Sequence, residues 1–159
     1  GGDWRAASDN AITAARRGAT LGHWATGGDI AARITWAQEL VRGKATKDAI
    51  RLIIDLVGTG VASQESVPAA FAVLEVAGGD PWQAAVISAN LGGDTDTIGA
   101  IAAGMAGACT GFSRLPQNRI ANLKGIDMTG VSALAADLVV ARMSKGRVDK
   151  GSGGKDAAA

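Results

Sequence analysis

Leu91-Gly92-Gly93-Asp94-Thr95-Asp96-Thr97-Ile98-Gly99-Ala100-Ile101-Ala102-Ala103-Gly104-Met105-Ala106-Gly107-Ala108-Cys109 is the stretch on which the reading of this chain turns. From Ile98 onward it is nearly all small residues, with Gly99, Ala103, Gly107 and Gly111 four apart and so on one helix face. Each glycine inside a helix costs about 1 kcal/mol relative to alanine, which only close packing against neighbours offsets. The pattern predicts a helix over 98–109 that is central and most buried, and one in which Gly104→Val unfolds the protein. Ahead of it stands a polar run, Gly92 to Thr97, between two apolar segments.

Working outward, apolar residues recur at helical spacing and no stretch alternates cleanly as a strand would, so the class is all-α. One helix is expected over about 8–20. A second follows Gly27-Gly28 with Asp29 as N-cap, places Ile30, Ile34, Ala37 and Val41 on one stripe, and ends at Gly43. A third, 46–57, carries Ile50, Ile53, Ile54 and Val57 and is broken by Gly58-Thr59-Gly60. A fourth, 65–77, has Pro68 in its first turn and Val67, Phe71 and Leu74 inward; Gly78-Gly79 ends it. Asp80-Pro81 then starts a helix to about Asn90. Beyond Pro116, a short helix or turn, a final amphipathic helix over 130–143 carries Val131, Leu134, Ala135 and Leu138. Residues 1–143 are read as one domain and 144–159, rich in Gly, Ser and charge, as a disordered tail. Its lysines form no phosphate-binding loop, because the position five before Gly154 is Asp149.

The 159 residues are 47% hydrophobic, with 23 Gly, four Trp, two Phe and no Tyr, so the core must be built from small aliphatics. Sixteen Lys and Arg against fifteen Asp and Glu leave a charge of +1, which disfavours nucleic acid as partner. No apolar run approaches the ~20 residues that span a bilayer, so no membrane partner is expected. The lone Cys109 can form no internal disulfide and fits a reducing, cytoplasmic setting. The start, Gly1-Gly2-Asp3-Trp4, lacks an initiator Met and suggests a processed or truncated piece.

Asn90 and Gly92 to Thr97 form the one dense polar constellation. At a loop entering a helix, Asp94 and Asp96 with Thr97 can converge on one centre, and hard oxygen ligands select Mg²⁺-like cations. The plainer reading is that the two aspartates cap the next helix. Against it, one capping residue suffices, and so many oxygens ahead of so buried a helix cost desolvation unless something binds them. An EF-hand fails, since Ile98 and Met105 stand where acidic ligands are required. An aspartyl-phosphate mechanism lacks the strand it needs before Asp94. His23, near Gly22 and Trp24, has no nucleophile in register and is read as structural, Cys109 as a buried apolar residue. Trp24 and Trp36 have the rings to stack on adenine, although Trp36 falls on a helical stripe and is read as core.

The stretch Ser66-Val67-Pro68-Ala69-Ala70, then Ala84-Ala85-Val86, then Asn90-Leu91-Gly92-Gly93-Asp94-Thr95-Asp96-Thr97-Ile98-Gly99-Ala100-Ile101, with Gly104 and Gly107-Ala108, resembles the C-terminal half of the ADP-ribosylglycohydrolases. The resemblance implies a compact orthogonal helical bundle, here its C-terminal half. It implies a binuclear Mg²⁺ (or Mn²⁺) centre that helps cleave the bond at the anomeric carbon of ADP-ribose. Asp94, Asp96 and Thr97 would be metal ligands, Asp94 and Asp96 the catalytic carboxylates, and Gly58, Gly60, Asn90, Gly92 and Gly93 would bind substrate, the Gly58-Thr59-Gly60 loop lining the ribose side of the pocket. Glu65, after Ser63-Gln64, would cap a helix or line the cleft. The family's Thr-Asp-Asp motif does not occur in this chain, so the partner it calls for is an N-terminal half, separate or cleaved. Val61 stands where the family often has an aromatic. Two other readings stay open: a hydrolase of a simpler nucleoside or ribosyl substrate, and a non-catalytic ADP-ribose-binding or inactive remnant.

Overall fold

Aspartates start four of the helices, each by accepting a backbone amide that the first turn leaves without a partner. In a computed structural model, which describes residues 2–23 and 26–151, Asp3 accepts the amide of Arg5 at 2.9 Å and opens α1 (Trp4–Gly18). Asp29 accepts that of Ala32 at 2.7 Å and opens α2 (Ile30–Val41). Next come α3 (Thr46–Leu52), a π-helical turn (Ile53–Val57) and α4 (Ser63–Val76). Asp80 accepts the amide of Gln83 at 2.8 Å and opens α5 (Pro81–Ala89). The order closes with α6 (Thr95–Thr110), a 3₁₀ turn (Phe112–Arg114), α7 (Gln117–Ile120) and α8 (Met128–Gly151). The described residues contain no strand, and the class is all-α as expected.

The chain packs as two units, one up to Ile120 and one from Ala121 on. In the second, Asp127 Oδ1 accepts the amides of Thr129 and Gly130 at the start of α8. Val131, Leu134 and Leu138 of that helix are exposed. It runs on through 144–151, which the composition marks as tail; the rest of that tail, 152–159, lies outside the described residues.

The first unit has its core where small side chains let helices meet. Ala37, Ala69, Ala70, Ala72, Ala84 and Ala102 interleave with Val41, Ile53, Val73 and Ile98 in the main cluster. Two satellites form around Trp4 with Leu74, Ala106 and Cys109, and around Phe71 with Ile12, Ala31 and Ile34. The central helix is α4, not α6. Ser66 and residues 68–74 of α4 are buried, around the whole circumference, as it packs against α2, α5 and α6. In α6 only Ile98, Ala102, Ala106 and Cys109 are buried, on a single stripe. Of the small residues spaced four apart, Gly99 does lie against a neighbour, where a Cβ would stand 3.3 Å from Ser88 Cβ of α5. Gly104 and Gly107 have nothing within 4 Å of an added Cβ, so the close contact expected at Gly104 is absent.

One buried carboxylate ties the outer helices to the centre. Glu75, near the end of α4 and 6% exposed in its side chain, takes Arg5 of α1 at 3.7 Å and Arg42 at the end of α2 at 3.2 Å. On α5, Ser88 is fully buried with its hydroxyl unpartnered. Ser88→Ala is therefore expected to raise stability by roughly 1 kcal/mol, the lower end of what an unpaired buried polar group costs. Gly104→Ala should raise it by about 0.5–1 kcal/mol through helix propensity alone. Thermal and urea unfolding of the two variants measure both.

Candidate functional site

Two glycine loops build the site, one after the π-helical turn and one before α6. The π turn is closed by the Gly58 amide donating to the Ile53 carbonyl, five residues back, at 2.9 Å. Such turns widen the helix by one residue and leave its last carbonyls pointing outward. Gly58, at φ +87°, then swings the chain into Thr59-Gly60-Val61-Ala62. Pro68 lies in the second turn of α4, because that helix starts at Ser63 rather than near Glu65. Having no N–H, it cannot serve the Gln64 carbonyl that a regular residue at 68 would bond. Arg33 of α2 serves it instead. Its Nε donates to the Gln64 carbonyl at 2.5 Å and its Nη2 to the Val57 carbonyl at 2.8 Å, so one guanidinium holds both ends of the loop. From the first turn of α4, Glu65 Oε2 accepts the Gly60 amide at 2.8 Å.

The second loop meets the first directly. Gly92 (φ +76°) and Gly93 (φ +71°) turn the chain so that the Asp94 amide donates to the Thr59 carbonyl at 2.7 Å. A Cβ on Gly93 would collide with that same carbonyl oxygen. The Gly58-Thr59-Gly60 loop thus meets the Gly92-Gly93 loop through Thr59. Asn90 ends α5 with its side-chain amide donating back to the Val86 carbonyl at 2.8 Å, so that nitrogen serves its own helix rather than the loop pair.

Asp94 occupies the N-cap position of α6, yet its carboxylate accepts no capping hydrogen bond, unlike Asp3, Asp29 and Asp80. Its backbone shows why. Asp94 sits at ψ 54°, whereas Asp3, Asp29 and Asp80 lie at ψ 118°, 124° and 120°. Asp96 and Thr97 follow in the first turn, both exposed, with Asp94 half-buried and Ile98 buried below them. The desolvation expected of this run is therefore small, and what sets it apart is the Asp94 carboxylate, which caps no helix. Among the described residues neither Asp94 nor Asp96 is in an ion pair.

Two carboxylates and a hydroxyl are hard donors of the kind Mg²⁺ and Mn²⁺ take, and all three are free to ligate. By donor type they suit part of such a cation's coordination shell. No group of three or more acidic, His or Cys residues among the described residues could hold an ion on its own. Trp36 is 38% exposed, not core, with the Arg33 guanidinium over its ring at 5.5 Å. Trp24 lies outside the described residues. Cys109 is buried as expected, and His23 lines a 440 Å³ cavity with Asp29 and Gln64. Arg33 went unread in the sequence, although a proline inside a helix always leaves one carbonyl needing another donor.

The family model of the ADP-ribosylglycohydrolases matches residues 1–147. This chain belongs to the ADP-ribosylglycohydrolase family. Its all-helical fold is consistent with the helical fold of that family. The chain is 34% identical over 146 residues to the uncharacterized protein YegU of Escherichia coli (strain K12), covering 91% of this chain and 44% of that protein. It is also 34% identical over 91 residues to the ADP-ribosylhydrolase ARH3 of Bos taurus, covering 51% of this chain and 25% of that protein. It thus spans less than half the length of either relative. No solved structure matches it.

The glycine pair offers a direct check on the loop contact. Gly92→Ala meets only the strain of a left-handed backbone, since nothing lies within 4 Å of its Cβ, and should cost about 1 kcal/mol. Gly93→Ala adds a collision with the Thr59 carbonyl and should cost clearly more, about 2–3 kcal/mol. Urea denaturation of the two side by side separates strain from contact.

Proposed function

We propose that this chain carries half of a divalent-cation centre of the ADP-ribosylglycohydrolase type. The reaction is hydrolysis of the glycosidic bond at the ribose anomeric carbon of an ADP-ribosylated protein or an ADP-ribose derivative. The observation that carries this reading is the Asp94 carboxylate, placed at a helix start and withheld from capping it, beside Asp96 and Thr97. Asp94, Asp96 and Thr97 hold Mg²⁺ or Mn²⁺. An N-terminal half, outside this chain, supplies the other ligands of a binuclear centre.

The ions, when bound, supply Lewis acidity toward the ribose hydroxyls and lower the pKa of a water. The chain's own residues do the rest. Gly92, with nothing within 4 Å of where a Cβ would stand, presents bare backbone to the sugar, while Gly58, Gly60 and Gly93, packed against Glu65 and Thr59, set the loops that flank it. Asn90 borders the same face. One of the two carboxylates accepts the proton of the attacking water, the base role that a charged and accessible acid can fill. No described helix is long and apolar enough to cross a membrane, and a reducing, cytoplasmic setting is proposed on the lone cysteine.

The test starts from the purified material: native and denatured intact mass with bound metal content, then Mn²⁺ titration. A second polypeptide and about two ions per complex are expected. Asp96→Ala and Asp94→Asn should weaken Mn²⁺ at least about tenfold, since even residues that only orient ligands cost that much. Asp96, exposed, should change stability by no more than about 0.5 kcal/mol. Release of ADP-ribose from arginine-linked, serine-linked and O-acetyl substrates, against free nucleosides, then sorts the linkage. A lone chain that binds neither Mn²⁺ nor Mg²⁺ but still takes ADP-ribose would instead make it a non-catalytic binding module.

A further inference from the structure

Asp94 differs from Asp3, Asp29 and Asp80 in one respect besides its idle carboxylate: its amide is held by another loop. The Thr59 carbonyl accepts that amide at 2.7 Å, and Asp94 stands at ψ 54° instead of the extended values of the other three. With that torsion the carboxylate does not accept from the amides of its own helix. The carbonyl that holds it is itself framed. Arg33 closes the loop at Val57 and Gln64, and Glu65 closes it at Gly60.

Other glycines show how closely the frame is fitted. An added Cβ on Gly58 or Gly60 would stand 2.6 Å or 2.7 Å from Glu65 Oε2, and one on Gly28 would stand 2.7 Å from Arg33 Cδ. Glu65 lies in the first turn of α4, where a carboxylate ordinarily favours the amides of its own helix. It turns to the loop instead. We propose that Glu65 and Arg33 are positioning residues which, through the Thr59 carbonyl, keep the Asp94 backbone out of capping geometry and its carboxylate free for a ligand. That the ligand is a divalent cation rests on the function proposed above; the backbone arrangement does not.

The full chain serves for the test, with amide hydrogen exchange and backbone carbon shifts of Asp94 read by NMR, and Mn²⁺ affinity measured alongside. In Glu65→Ala the Asp94 amide should exchange at least about tenfold faster, as a local opening. Its carbon shifts should move toward those of Asp29 and Asp80, and Mn²⁺ should bind several-fold more weakly, with the α5 amides unchanged. Glu65→Gln keeps an oxygen that can accept from Gly60 and should restore all three readouts. Arg33→Lys, which cannot serve two carbonyls with one planar fork, should repeat the alanine result and decides the matter if Glu65→Ala does not fold. Unchanged exchange at Asp94 in the alanine and lysine variants overturns the proposal. So does a Gln variant that loses Mn²⁺ as fully as Ala, because the charge of Glu65 would then itself be at work. If wild type takes no Mn²⁺ while the exchange results hold, the cation reading fails and the frame stands.

Discussion

The hydrogen bond from the Asp94 amide to the Thr59 carbonyl joins the two halves of the site, and the rest of the first unit is arranged so that it can form. It requires two loops from separate helix ends to approach at backbone distance. Gly93 permits the approach, α4 and α5 carry the loops to the same place, and the buried alanines between the helices let those elements come close. A longer side chain at Gly93 would push the loops apart.

Small residues set that geometry at a cost. A core of Ala, Val and Ile gives each buried side chain less apolar area than aromatic residues would, so stability depends on many close contacts rather than a few large ones. The polar ties are correspondingly few and specific. Glu75 joins three elements with one carboxylate, and Arg33 satisfies a carbonyl freed by Pro68 together with one at the end of the π turn. In the case of Arg33 a backbone carbonyl at a helix end becomes the anchor for another element, so that the same bond satisfies the backbone and fixes the tertiary arrangement.

Membership of the ADP-ribosylglycohydrolase family fits this economy. The turn at Asp94 places two acids and a hydroxyl at the start of α6 with no side-chain cap from Asp94, and no group of three or more acidic, His or Cys residues that could hold an ion occurs among the described residues.

The helices, their starts at Asp29 and Asp80 and the small-residue core were legible in the sequence, because capping and periodicity are local: they act over one or two turns of chain. The candidate acids were legible for a related reason, since two carboxylates and a threonine ahead of a helix stand out against apolar flanks. Three features were not. That α4 rather than α6 is central depends on how many neighbours each helix meets, and glycines at Gly104 and Gly107 look the same in sequence whether a helix lies against them or solvent does. Trp36 sits on an apolar stripe but is 38% exposed, because what lies over its ring is the Arg33 guanidinium and not another helix's apolar side chains. Whether Asp94 caps its helix or keeps its carboxylate free was settled by a carbonyl from a loop more than thirty residues earlier, and no local pattern carries such information. Composition and periodicity determined the class and the residues available; only the tertiary structure decided which of them are spent on the fold and which, like the Asp94 carboxylate, are not, because that depends on partners far apart in the chain.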